Sequence, residues 1–114
     1  MIEFGVGVLR FKTDMDKSFE SNHLYQQLFR SATAVPLNYA EAIGGESKKD
    51  FVHKLSICLK ELRESHVNLK MIDLGGLHNN KKDILKLLDE ANQMIAMLIK
   101  SINTTKEKYP ESFK

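Results

Sequence analysis

Apolar residues near the C-terminus of the chain repeat at alternating spacings of four and three positions. They are Ile84, Leu88, Ala91, Ile95, Leu98 and Ile102. This spacing predicts a helix that buries one narrow stripe against other helices, as in a helical bundle. Asn79 or Asn80 can cap the start of this helix, and Asp83 suits its positive first turn. We expect it to run over about 80–107, since the residue before Pro110 disfavours the helical conformation.

The segment before it shows the same alternation. Its stripe consists of Phe51, Leu55, Cys58, Leu62, Ser65, Leu69 and Ile72. Ser47 followed by Asp50 resembles a capping box with Asp in place of Glu, and Gly75-Gly76 is a typical helix end. The pattern predicts a helix over about 47–73.

A helix is also predicted over about 22–43, with two adjacent stripes. The first stripe contains Leu24, Leu28, Ser31, Val35, Asn38 and Ala42, and the second contains Tyr25, Phe29, Ala32, Pro36, Tyr39 and Ile43. Two stripes make a face wider than the core of a small bundle requires. Because the apolar spacing continues through Pro36, we expect one kinked helix rather than two helices.

The N-terminal segment is compatible with two structures. Ile2, Val6 and Leu9 fit a helix over about 2–17, whereas Phe4, Val6 and Val8 alternate like a strand. A lone strand would have no partner in a helical chain, so we favour a helix. The short connections make consecutive helices antiparallel neighbours. The predicted fold is all-α: a single domain over 1–114 that forms an up-down-up-down antiparallel four-helix bundle with a kinked second helix.

Composition narrows the functional class. The chain has 114 residues, a net charge of +2 and one cysteine. A single cysteine permits no internal disulfide, which suits a reducing compartment. The N-terminus does not resemble a signal peptide, and no apolar run is long enough to cross a bilayer. We expect a cytoplasmic protein without membrane contact.

Candidate chemical sites are weak. Glu20 with His23 matches the Glu-x-x-His spacing of di-iron bundles, and Asp50 with His53 matches it imperfectly. However, Asp50 suits a helix cap, and Phe51 and Leu55 direct His53 away from the core. Cys58 lies on a buried stripe, where a thiol behaves as a small apolar group. We therefore expect no enzymatic activity, no metal and no cofactor, with a metal-dependent bundle enzyme as the least favoured alternative.

A polar column lies beside the stripes of the second helix. It consists of Gln27, Ser31, Ala34, Asn38 and Glu41, and the third helix carries Glu61, Glu64 and Asn68. With a turn near Gly45, Arg30 comes level with Glu61 and Glu64, so an ion pair between these helices is predicted. Small and polar residues inside a wide apolar face usually set helix register rather than catalyse reactions.

These polar residues fall within a recognisable motif. Residues 24–42 read LYQQLFRSATAVPLNYAEA, residues 47–57 read SKKDFVHKLSI and residues 61–64 read ELRE. Together they resemble the signature of the four helix bundle protein family, also called the 23S rRNA-intervening-sequence protein family. That signature has a glutamine, then Arg-Ser or Arg-Ala, Val-Pro, and an Asn-Ile-Ala-Glu step. This chain departs from it at Tyr39, where isoleucine is usual, and at Asn68, where tryptophan is common.

The resemblance implies a bundle that assembles into a cyclic homo-oligomer, with a pentamer as the expected form, and no known enzymatic activity. It also implies that Gln27, Arg30, Asn38, Glu41, Glu61 and Glu64 are family-signature positions. Relatives serve as accessory factors to reverse transcriptases of diversity-generating retroelements, where a basic surface contacts nucleic acid.

In an up-down-up-down bundle, the start of the third helix lies beside the end of the fourth. This arrangement would gather Lys48, Lys49, Lys54, Lys100, Lys106 and Lys108 at one rim. Repetition of the rim around a ring would attract RNA or DNA. The leading hypothesis is thus a non-catalytic oligomeric scaffold with weak, sequence-nonspecific nucleic-acid binding. The alternative is an adaptor that binds a partner protein, for example a polymerase, and has no nucleic-acid contact.

Overall fold

The computed structural model describes all 114 residues and contains four α-helices and no strand. The helices are α1 (Ile2–Phe11), α2 (Phe19–Ile43), α3 (Lys48–Leu74) and α4 (Lys81–Lys108), with 3-10 turns at Lys12–Asp14 and Pro110–Phe113. The all-α prediction is confirmed. None of the helices combines the length and the apolar character that crossing a membrane requires.

The four helices pack as a bundle measuring 51 × 20 × 19 Å. α2 packs mainly against α3, α3 against α4, and α1 against both α2 and α4. The helices therefore occupy the corners of a square in chain order, so the α2–α3 side lies opposite the α1–α4 side. The predicted stripes form the core, in which Leu28, Leu55, Leu62, Leu69 and Leu98 are fully buried.

The predicted helix caps are present. The side chain of Ser47 accepts a hydrogen bond from the backbone N–H of Asp50, and that of Asn80 accepts one from Asp83. Each cap satisfies a backbone donor that the helix itself leaves unpaired. α3 ends before Gly76, whose φ of 66° is accessible to glycine at little cost.

α2 is continuous through Pro36, as the apolar spacing predicts, and the bend at this residue stays a prediction. In the first stripe of α2, Leu28 and Val35 are completely buried. In the second stripe, α1 covers Tyr25 and Ala32, whereas Phe29 and Ile43 remain exposed. The other helices of the chain therefore cover part of the second stripe of α2 and leave the rest exposed to solvent.

The prediction for the first helix is wrong at its end. α1 stops at Phe11 rather than near residue 17, because the backbone becomes extended at Met15 and pairs with the α3–α4 turn. The N–H of Asp16 donates to the carbonyl of Leu77 at 2.8 Å. The side chain of Ser18 accepts a hydrogen bond from the N–H of Ser21 and so caps α2, which begins at Phe19, three residues earlier than predicted.

Leu87 flanks the α4 stripe, so the spacing alone would leave it as surplus apolar surface, but the structure buries it. Its side chain is buried against α1, where Gly7 leaves room for it: a Cβ at Gly7 would lie 3.0 Å from Leu87 Cδ2. The short first helix therefore covers more of α4 than its own stripe indicates.

Candidate functional site

Arg30 links α2 to α3 through two carboxylates, as predicted from their level in the hairpin. Its Nη2 donates to Glu64 Oε2 at 2.7 Å and its Nη1 donates to Glu61 Oε2 at 3.3 Å. The hydrogen bond to Glu64, followed by the charge of Glu61, raises the pKa of Arg30 above its ordinary value. The Arg30 side chain is 60% exposed, however, so this is a half-solvated bridge rather than a buried ion pair.

Beneath this bridge, α2 and α3 contact each other through two serines. The hydroxyls of Ser31 and Ser65 lie 2.7 Å apart in the core, and both residues are fully buried. Each hydroxyl also lies within hydrogen-bond distance of a carbonyl oxygen of its own helix, that of Leu28 for Ser31 and that of Glu61 for Ser65. Because each hydroxyl has one hydrogen, one serine donates to its carbonyl while the other donates to the neighbouring hydroxyl. Small side chains let the helices approach closely, and the paired hydroxyls specify one register. This supports a structural role for the polar column.

Asn38, Asn68 and Gln27 form hydrogen bonds within their own helices, whereas the signature residue Glu41 forms an ion pair with Lys54 of α3. Asn38 donates to the carbonyl of Ala34 at 2.9 Å, and Asn68 donates to that of Glu64 at 3.0 Å. The side chain of Gln27 lies 3.2 Å from the ring of His23. These bonds occupy the side chains within their own helices, so the column does not form a shared polar site.

A groove of about 780 Å³ runs along the outer side of α2 and α3. Its rim carries Arg30, Lys60 and Arg63 against one acid, Glu64. Exposed apolar side chains of Val67 and Met71 line the same groove. Lys60 and Arg63 form no ion pair within the chain, so the groove combines unneutralised positive charge with apolar surface.

Of the six lysines predicted to gather at one rim of the bundle, the structure places only some of them together. The Nζ atoms of Lys48 and Lys108 lie 4.6 and 5.7 Å from the centre of the Tyr109 ring, so the start of α3 is indeed beside the end of α4. Lys54 instead forms an ion pair with Glu41 at 2.7 Å, which removes it from the free charges.

Three further lysines of the predicted rim, Lys49, Lys100 and Lys106, are exposed and form no ion pair within the chain. Sequence reasoning missed Tyr109, whose only signal was its position before Pro110. Together with Lys48 and Lys108 it forms the basic rim.

The candidate nucleophile is in an unreactive setting. Cys58 is fully buried, and burial raises the pKa of its thiol to about 11. The thiolate is the reactive form of cysteine, and this pKa keeps the group almost entirely protonated at neutral pH.

The two candidate metal-binding pairs lie at opposite ends of the α2–α3 hairpin. Glu20 and His23 belong to the first turns of α2, whereas Asp50 and His53 belong to the first turns of the antiparallel α3. No three histidine, cysteine or acidic side chains lie close enough together to hold a metal ion.

Two buried polar contacts were not anticipated from the sequence. The ring of His78 stacks on Phe11 with centroids 3.6 Å apart, and its Nε2 lies 2.9 Å from the carbonyl oxygen of Phe11. The hydroxyl of Tyr25 donates to the carbonyl of Val8 at 2.9 Å, and burial raises the pKa of Tyr25. Both side chains hold α1 against the rest of the bundle.

A family model described as 23S rRNA-intervening sequence protein matches residues 1–100. The chain belongs to the 23S rRNA-intervening sequence protein family.

A solved structure is similar to this chain in fold. It is a protein of unknown function from the S23 ribosomal protein family of Bacteroides thetaiotaomicron, with 27% identity and a TM-score of 0.75. The match covers 89% of this chain and 93% of that one. No curated protein matches the chain.

Proposed function

We propose that this protein is a non-catalytic, oligomeric helical scaffold that binds RNA or DNA weakly and without sequence preference. The observation that carries the proposal is the approach of two lysines to one aromatic ring. Lys48 and Lys108 share the ring of Tyr109, and neither is neutralised by an ion pair. Both positive charges therefore lie beside the same ring at one end of the bundle, where they attract an anion.

The chemistry of the basic rim suits a nucleic-acid backbone better than a small metabolite. Lysine contacts phosphates as a point charge and reads no base sequence, and a half-exposed tyrosine ring can stack on any base. Glu46, Asp50 and Glu107 lie near the rim in sequence and offset part of its charge. A single chain should therefore bind weakly, and repetition of the rim in an oligomer should strengthen binding through a larger local field.

Exposed apolar surface supports the oligomeric part of the proposal. Ile2 and Val6 on α1 and Val67 and Met71 on α3 are all exposed on helix faces that no other element covers. Adjacent exposed apolar side chains are typical of protein–protein contact surfaces. A cyclic homo-oligomer, with a pentamer as the expected form, is part of the proposal.

Fluorescence anisotropy with labelled single-stranded RNA and DNA at low salt tests the proposal. Binding should fall steeply as salt rises, because counterions are released from the phosphates on binding. The double variant Lys48→Glu, Lys49→Glu should weaken binding to all sequences alike without changing the oligomeric mass. The matched control Lys70→Glu, Lys82→Glu makes the same charge change at the other end of the bundle and should weaken binding less.

The outcomes separate the candidate functions. No binding at tens of micromolar protein would favour an adaptor that contacts only a partner protein. Binding that ignored salt would contradict the electrostatic mechanism. A mass of 13.0 kDa by light scattering at micromolar concentration would contradict the oligomer.

A further inference from the structure

The sides of the bundle differ in charge. The α2–α3 groove carries three bases and one acid, as described above. A groove of about 640 Å³ between α1 and α4 carries four acids and two bases. The acids are Glu3, Asp83, Asp89 and Glu90, and the bases are Arg10 and Lys86. None of these six side chains forms an ion pair within the chain.

The two grooves lie on opposite sides of the square and at the same height along the bundle. A Cβ at Gly5 would lie 3.8 Å from the carbonyl oxygen of Ala32, and Gly7 faces Leu87, so the start of α1 lies level with the centre of α2 and with Leu87 of α4. Arg30, two residues before Ala32, bonds to α3 at Glu61 and Glu64. The acidic and basic grooves therefore share one level.

From this arrangement we infer that the acidic α1–α4 side of one chain docks into the basic α2–α3 groove of a second copy. The inference rests on the proposed oligomer and names the surfaces that build it. Glu90 and Asp89 would face Lys60 and Arg63 of the neighbour, because opposite charges steer association and fix its register.

Apolar surface accompanies the charges on both sides. Val6 lies one turn from Glu3 on α1, so the two share an edge of the acidic groove, and Ile2 lies one turn before Val6. On the other side, Val67 and Met71 are exposed within the basic groove. Apolar contact supplies affinity that exposed ion pairs alone do not provide.

The symmetry of the contact follows from its geometry. Because different surfaces of the two copies meet, the interface is head-to-tail. Such interfaces form a ring when the rotation between copies closes and an open row when it does not, so the ring itself comes from the proposed oligomer. A ring whose axis runs parallel to the bundle keeps every copy at one height, which matches the common level of the two grooves. It would also bring the basic rims of all copies to the same end.

Charge exchange tests the inference in the full-length protein by light scattering. The variant Lys60→Glu, Arg63→Glu makes both grooves acidic, and Asp89→Lys, Glu90→Lys makes both basic. Each should reduce the oligomer to 13.0 kDa while leaving the helical circular dichroism signal unchanged. The fourfold variant, which combines both pairs of substitutions, has an acidic α2–α3 groove and a basic α1–α4 groove. The two grooves are again opposite in charge, so this variant should regain the wild-type mass.

The control Lys48→Glu, Lys49→Glu changes charge by the same amount as the first variant but should keep the wild-type mass. A double variant that retains the wild-type mass would overturn the inference, and so would a folded fourfold variant that stays at 13.0 kDa. If Lys60→Glu, Arg63→Glu lost nucleic-acid binding at unchanged mass, the basic groove would be a polyanion site instead. A wild-type chain of 13.0 kDa would overturn the proposed oligomer itself, which distinguishes the two failures.

Discussion

The α2–α3 hairpin and the end of the bundle where α1 meets the α3–α4 turn are stabilised in different ways. In the hairpin, side chains at regular helical spacing, such as Leu28, Leu55 and Leu62, pack in a fully buried core. At the α1 end, the polar contacts of His78 and the backbone pairing of Asp16 with Leu77 hold a helix of ten residues in place. The comparison shows that the long helices rest mainly on regular packing along their whole length, whereas the short one adds specific hydrogen bonds to the burial of Phe4, Val8 and Phe11.

The largest effect should come from emptying the hairpin core. Leu62→Ala removes a fully buried side chain at the centre of α3 and should lower the free energy of unfolding by about 2–5 kcal/mol, because it creates a cavity. Urea unfolding at a fixed protein concentration measures the change. The control Leu85→Ala alters an exposed residue of α4 and should stay within about 0.5 kcal/mol. Equal effects at both positions would contradict the assigned core.

A smaller effect is expected at the α1 end. The N–H of Asn80 donates to His78 Nδ1 at 3.1 Å, so Nε2 carries the hydrogen and donates to the carbonyl of Phe11. His78→Ala leaves both backbone groups without this partner and should cost about 1–3 kcal/mol.

The stability lost in His78→Ala should be confined to the α1 end of the bundle. Hydrogen exchange should increase mainly in α1, with α2 and α3 remaining protected, because His78 links α1 to the turn rather than to the hairpin. The control His53→Ala changes an exposed histidine and should leave both stability and exchange unaltered. A His78→Ala protein that behaves like His53→Ala would show that the contact does not hold α1.

The smallest effect should come from the half-solvated bridge on the hairpin. Arg30→Ala should cost about 1 kcal/mol, since Arg30 is 60% exposed while the Glu61 side chain is only 11% exposed. A fully buried pair would cost about 3–5 kcal/mol instead, because a carboxylate would be left uncompensated. Urea unfolding distinguishes the two values, and Glu61→Gln in the Arg30→Ala background should recover part of the loss. An unchanged unfolding midpoint in Arg30→Ala would contradict a stabilising bridge.

Sequence periodicity predicted the long helices because each buries a stripe along its whole length. The ends of α3 and α4 were predicted to within about two residues, since Ser47, Asn80 and Pro110 act on the backbone locally. The Arg30 bridge was also predictable, because the length of an antiparallel hairpin determines which residues lie level with each other. The motif in residues 24–64 likewise indicates the family without any knowledge of tertiary contacts.

The end of α1, by contrast, depends on residues distant in the sequence. Met15 becomes extended because it pairs with His78, and no local pattern near residue 15 indicates that partner. The burial of Leu87 depends on Gly7, and the pairing of Lys54 with Glu41 depends on the packing of two helices. The sequence by itself therefore determined the helices, their order and the family, because those follow from local spacing and motif. Only the tertiary structure decided where α1 ends, which lysines remain free and which sides of the bundle carry opposite charge, because each depends on contacts between distant segments.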